Sequence, residues 1–176
     1  DAIMLSGETS VGRYPFEAVR TMARIIETTE DEALDRIPAP GTRPTSKGGA
    51  ITFAAAAVGD LLDVQRMVAF TTSGDSARRM SRLRSRIPLL AFTPDPAVRS
   101  QLTLTWGVET FLAASVEHTD EMVAQVDELL LETGRCQPGD QVVIVAGSPP
   151  GIPGSLNALR VHRMGDAVRG MARAYR

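Results

Sequence analysis

The chain opens on a short apolar run, Ala2-Ile3-Met4-Leu5, closed by the polar Ser6-Gly7-Glu8-Thr9. Such a run predicts a buried strand ending in a polar loop. Pro15 then suits the first turn of a helix, where its missing N–H costs nothing. Phe16, Val19, Met22, Ala23 and Ile26 recur at helical spacing with charged residues between them. Residues 1–35 therefore predict one strand and one amphipathic helix. A lone βα pair cannot cover both sides of its strand, so its partners are absent or lie further along. Pro38, Pro40, Gly41 and Pro44, with little apolar content around them, mark a linker at 36–46 and a domain boundary.

From residue 47 the pattern becomes a regular alternation. Ile51, Ala55, Val58, Leu61 and Leu62 form a helical stripe, and the alanines at 54–57 permit close packing. Met67–Phe70 reads as a strand, Ser73–Arg86 as an arginine-rich helix and Pro88–Phe92 as a second strand. A short helix at Pro96–Leu102 leads to a strand at Val108–Leu112. Thr119 is placed to cap a helix whose Met122, Val123, Val126, Leu129 and Leu130 share a face, and Gly134 is its natural stop. Gln141–Ala146 carries Val142-Val143-Ile144-Val145, apolar on both faces, as a central strand covered on both sides requires. A Gly/Pro-rich loop, 147–154, precedes a last strand at Leu156–His162. Strands alternating with helices predict a largely parallel, three-layer α/β sandwich over 47–164, with a tail at 165–176 that continues as a frayed helix.

Composition narrows the chemistry. Nineteen Lys and Arg against 21 Asp and Glu leave a net charge of −2, which argues against bulk electrostatic capture of nucleic acid. The arginines at 78, 79, 82, 84 and 86 do not share a helical face and have no interleaved aromatics, so they read as a solvated surface. A single cysteine, Cys136, excludes an internal disulfide, and with only His118 and His162 a Cys/His zinc site has no ligand set. This composition fits a reducing cytoplasm. Neither histidine has the neighbours a catalytic base needs, Cys136 has no activating partner, and Trp106 reads as packing. No stretch reaches the roughly 20 apolar residues that cross a bilayer, and the first residues lack the pattern of a secretory signal.

Two loops are candidates for binding. Phe70-Thr71-Thr72-Ser73-Gly74-Asp75-Ser76-Ala77 runs from strand through a hydroxyl-rich turn into a helix, offering free N–H groups and hydroxyls to a phosphate. Arg78 and Arg79 follow and add positive charge, whereas the Asp75 carboxylate opposes an anion. The same residues also suit a simple helix cap and turn. Gly147–Ser155 lies past the C-terminal end of the predicted central strand, where open α/β sheets collect ligands, and equally suits a plain connection. A third stretch, Ser6, Glu8 and Thr9, stands just past a strand end, where a barrel or open sheet places reactive groups.

As strings these stretches closely resemble pyruvate kinase. The resemblance begins with Asp1-Ala-Ile-Met-Leu-Ser6-Gly-Glu8-Thr9, Gly12-Arg-Tyr14-Pro15 and Glu17-Ala-Val-Arg20. It continues through Thr72-Ser73-Gly74, Arg86-Ile-Pro88, Ala91-Phe92-Thr93-Pro94 and Trp106-Gly107-Val108. It closes with Gly139-Asp140, Val143–Gly147 and Gly154-Ser155-Leu156-Asn157. Several blocks in the family's order make it specific, and it covers nearly the whole chain.

The resemblance implies the C-terminal third of such an enzyme, of bacterial type: the last βα unit of a (β/α)8 barrel at 1–35, then the C-terminal regulatory α/β domain. It implies transfer of a phosphoryl group from phosphoenolpyruvate to ADP, giving pyruvate and ATP, with Mg2+ and K+ held by residues upstream of this segment. The parent enzyme is expected to be a cytoplasmic homotetramer that binds neither nucleic acid nor membrane, and the segment alone to be inactive. Ser6 and Glu8 resemble residues at the substrate side of the barrel mouth that help relay the proton converting enolpyruvate to pyruvate. Val11 stands where relatives often carry a lysine near the nucleotide phosphates, a contact valine cannot make. Thr71, Thr72, Ser73, Gly74 and Ser76 resemble the family's effector-phosphate loop, and Gly151 and Gly154 lie in the loop that closes on it. Asp75 stands where some relatives place a cation, which favours a sugar monophosphate or AMP over a doubly phosphorylated sugar. A stand-alone regulatory module that binds a phosphorylated metabolite is the alternative, and it would have no reason to carry the opening barrel-like stretch.

Overall fold

Ser46 starts the α/β unit by accepting the Gly49 N–H through its side-chain oxygen, which satisfies one of the orphan donors of a helix start. The structure is a computed structural model that describes residues 2–33, 44–152 and 154–167. The chain divides into two compact units, Asp1–Gly41 and Thr42–Arg176.

In the first unit, α1 (Gly7–Ser10) is a single turn and α2 (Pro15–Ala33) a long helix opened by Pro15. Gly12 is obligatory between them, because a Cβ there would meet the Glu8 carbonyl oxygen at 2.0 Å. The expected strand at residues 2–5 is not formed, and Ile3 and Met4 are exposed. A strand is stabilised by its ladder, and this run has no ladder partner among the described residues. The periodicity of α2 is as read, yet the helix buries none of its residues. Most of the expected linker, residues 34–43, lies outside the described residues.

The second unit runs α3 (Lys47–Leu62), β1 (Arg66–Phe70), α4 (Asp75–Ser81), β2 (Leu89–Thr93), α5 (Pro96–Leu102), β3 (Val108–Leu112), α6 (Thr119–Glu132), β4 (Gln141–Gly147) and β5 (Leu156–Arg163). The sheet order is β3-β2-β1-β4-β5, with every pair parallel except β4 and β5. Side chains alternate across it with period two. Met67, Ala69, Leu89, Ala91, Val143 and Val145 pack on one side with Ala55, Ala77 and Leu102 from α3, α4 and α5. Val68, Leu90, Phe92, Val142 and Ile144 pack on the other with Val123, Val126 and Leu130 of α6. This is the expected three-layer sandwich, and the all-apolar run of β4 is buried on both faces.

Two helices differ from the sequence reading at their ends. α4 spans Asp75–Ser81, not 73–86. Gly74 holds φ +83°, outside helical space, so the helix begins one residue later. At the far end Arg84 takes φ +53°, and the chain turns back toward β2. Thr119 does not cap α6. That position belongs to His118, whose side chain makes no capping bond, and the Glu121 carboxylate instead accepts the Glu117 N–H at 3.2 Å. Gly134 follows the helix with φ +66°, the left-handed stop it was expected to supply. Of the tail, Met164–Ala167 forms a turn and 168–176 lie outside the described residues.

Candidate functional site

β1 and β4 run side by side in parallel, so their C-terminal ends open at the same edge of the sheet. The loops leaving them, Thr71–Gly74 and Ser148–Ser155, are thereby brought into one cleft of about 620 Å³. Thr71, Thr72, Ser73 and Ser76 line it from the β1 side, and Gly151 and Gly154 from the β4 side. Gly74 does not line it. Its left-handed backbone instead turns the loop, and its N–H donates to Thr71 Oγ1 at 2.8 Å.

The loop is braced from behind. Arg78 donates through one guanidinium nitrogen to the Ser73 carbonyl at 2.9 Å and through another toward Gln101 Oε1 at 3.4 Å. It therefore serves the loop and does not line the cleft. Arg79 does line it, and its Nε donates to Asp75 Oδ2 at 2.6 Å. The opposing loop is anchored by Asn157, whose side chain makes two bonds of 2.7 Å to the Ser148 backbone, one donated and one accepted.

The sequence reading missed other parts of the cleft. Ser46 and Lys47, from the start of α3, stand beside the hydroxyl loop. Arg79 links the two, since one of its terminal nitrogens donates to Ser46 Oγ at 3.3 Å. Phe70, Phe92, Pro94, Val116 and Met122 line the cleft with apolar surface. No local motif announces these residues; they meet only because parallel strands deliver their C-terminal ends to one edge.

A family model described as "Pyruvate kinase, alpha/beta domain" matches residues 49–162, which carry the sheet and both loops. The chain belongs to the pyruvate kinase family. A pyruvate kinase of Mycobacterium tuberculosis (strain CDC 1551 / Oshkosh) is 54% identical over 166 residues, covering 94% of this chain and 35% of that protein. One from Corynebacterium efficiens is 50% identical over 169 residues, covering 96% and 35%. A crystal structure of a pyruvate kinase from Cryptosporidium parvum superposes with a TM-score of 0.77 at 26% identity, over 92% of this chain and 32% of its own. The chain thus spans about a third of the length of the pyruvate kinases it matches.

The other candidate residues lie in the first unit. Ser6 and Glu8 share one exposed turn, where the Ser6 N–H donates to Glu8 Oε2 at 3.2 Å. Bonding to the backbone at Glu8 and then at Ser6 holds the Glu8 carboxyl below its ordinary 4.5. Glu8 is therefore an ionised acceptor at neutral pH. The Ser6 carbonyl accepts from the backbone and hydroxyl groups of Thr9 and Ser10, which closes the turn. Val11 is exposed.

Three residues read as structural are placed inside or against packing. Cys136 is buried, and burial is the main cause pushing its thiol from 9.0 up to about 11, so it is a poor nucleophile at neutral pH. The Arg84 guanidinium lies 4.5 Å from the centroid of the Trp106 ring. His162 is buried, with Nε2 2.7 Å from Asp127 Oδ1. The histidine does have a carboxylate partner, contrary to the sequence reading, but the pair is closed off from any substrate. Among the described residues no three His, Cys, Asp or Glu side chains gather into a group that could hold a metal ion. Also among them, no helix is long and apolar enough to cross a membrane.

Proposed function

We propose that the α/β unit is the effector-binding and subunit-pairing domain of a cytoplasmic, tetrameric pyruvate kinase. In that enzyme the phosphoryl group of phosphoenolpyruvate passes to ADP, giving pyruvate and ATP. The observation that carries this reading is the convergence of the Thr71–Ser76 and Gly147–Ser155 loops on one cleft in a domain of this family. Hydroxyls of Thr72, Ser73 and Ser76, with the Lys47 and Arg79 cations, suit the oxygens of a phosphate. The apolar lining suits the remainder of a sugar monophosphate or AMP.

Ser6 and Glu8 act, in this reading, at the mouth of the catalytic barrel. Glu8, ionised and held in one turn with Ser6, helps pass the proton that converts enolpyruvate to pyruvate. Phosphoryl transfer depends on positioning and on charge neutralised by metals and cations. Mg2+ and K+ supply that chemistry from ligands outside this chain, so the 176-residue chain has no turnover of its own.

The test is the phosphoenolpyruvate response of the complete kinase carrying this sequence, measured with and without AMP or glucose 6-phosphate. Ser73→Ala and Ser76→Ala are expected to abolish the effector's shift of that response while leaving the basal rate in place. An effector response unchanged in both variants contradicts the reading.

A further inference from the structure

The first turn of α3 is built without the charge that a helix start favours. It opens on Lys47, Gly48 and Gly49 and carries no acidic side chain. Two adjacent glycines leave a helical backbone easy to open. A helix start attracts negative charge and repels positive charge, yet two cations stand at this one. Lys47 is its first residue, and Arg79 of α4 reaches Ser46 Oγ through Nη1 at 3.3 Å. That oxygen is also the cap, since it accepts the Gly49 N–H at 3.1 Å. The guanidinium lies against both glycines: a Cβ at Gly48 or Gly49 would stand 3.9 Å from its Nε or its Nη1. Asp75 accepts from Nε at 2.6 Å, which leaves Nη2 without a hydrogen bond among the described residues. Ser46, Lys47, Gly48 and Arg79 all line the cleft.

We propose that an anion bound in the cleft completes this turn, so that occupancy of the cleft steadies the start of α3. The anion accepts from the unengaged Nη2 and supplies the negative charge that the helix start lacks. A guanidinium fixed on the anion stays on Ser46 as well, and the cap is released less often. The mean conformation of the turn is unchanged; its frequency of opening falls. Arg79 is the positioning residue in this link, because one planar group lines the cleft and holds the cap together. The boundary between the two units, at Gly41, lies just before this turn in sequence, so the steadied element is the one at which the chain enters the α/β unit. This inference rests on the phosphate reading of the cleft and adds what occupancy does to the fold around it.

Amide hydrogen exchange of the 176-residue chain, with and without saturating orthophosphate at low salt, tests it, with calorimetry as the separate measure of binding. The amides read are Gly49, held by the Ser46 side chain, and Ala50, which donates to the Ser46 carbonyl at 2.9 Å. Orthophosphate should slow both by about 2- to 5-fold in the wild type, the worth of a charge at a helix end. Arg79→Lys keeps a cation for the anion but cannot hold Asp75, Ser46 and the anion at once. It should still bind orthophosphate, with the slowing cut to less than about half. Ala50→Glu, at an exposed position outside the cleft lining, supplies the missing acid. It should raise protection at Gly49 without any anion and shrink the further effect of orthophosphate. Orthophosphate that binds the wild type yet leaves Gly49 and Ala50 unaltered overturns this inference and leaves the phosphate reading standing. Slowing of equal size in Arg79→Lys overturns the link through Arg79. Absence of binding to the wild type overturns both readings.

Discussion

Asp127 is fully buried on α6, a helix face otherwise made of Met122, Val123, Val126 and Leu130. A carboxylate is tolerated there only because its oxygens are occupied. Oδ1 meets His162, and Oδ2 accepts the N–H groups of Gly165 and Ala167 at 3.0 and 2.9 Å. One side chain thereby ties α6 to β5 and to the turn beyond it. Asp127→Ala should cost about 3–5 kcal/mol, since it strands a buried histidine and two amides. Urea unfolding followed by the fluorescence of Trp106, the single tryptophan, measures this within the α/β unit. A loss below about 1 kcal/mol would show that water replaces the carboxylate without penalty. Nothing in the sequence announced the pair. Asp127 and His162 are 35 residues apart, and a carboxylate between apolar neighbours reads as a solvent-facing position until the fold brings the histidine to it.

At the scale of elements, the strands and long helices were legible because burial imposes a period on them. β2, β3 and β4 fall within a residue of their apolar runs, and α5 coincides with its predicted span. Boundaries set by backbone conformation were not legible, as in α4, where φ at Gly74 and Arg84 decides both ends. The run at residues 2–5 has strand composition without a ladder, since composition cannot supply hydrogen-bonding partners. The two glycine-bearing loops of the cleft could be found from their strand–turn context, whereas the contributions of α3 and of the Asn157 brace could not. That brace leads to a prediction at this scale. Asn157→Ala removes two bonds of 2.7 Å that hold the Ser148 backbone. It should raise amide hydrogen exchange across the Ser148–Ser155 loop by about 5-fold or more, the equivalent of about 1 kcal/mol. Exchange in the interior of β4 should stay as it was. Unchanged loop exchange would mean that packing alone fixes the loop.

Across the whole molecule, the sheet turns a linear order of motifs into a single binding edge. Parallel β1, β2 and β3 send their C-terminal ends to the side where β4 also ends, and antiparallel β5 returns from that side, so its first residue, Leu156, lines the cleft as well. The domain matched by the pyruvate kinase family model, 49–162, contains this edge and both of its loops. The claim that joins them is that this edge holds one phosphorylated ligand. The most direct measurement is a titration of the nitrogen-labelled chain with AMP or glucose 6-phosphate, followed amide by amide in solution. Saturable shifts confined to the cleft, in the residues of 46–48, 70–79, 92–94, 113–122 and 147–156, are expected. Shifts clustered elsewhere, or none with either ligand at millimolar concentration, would contradict the account.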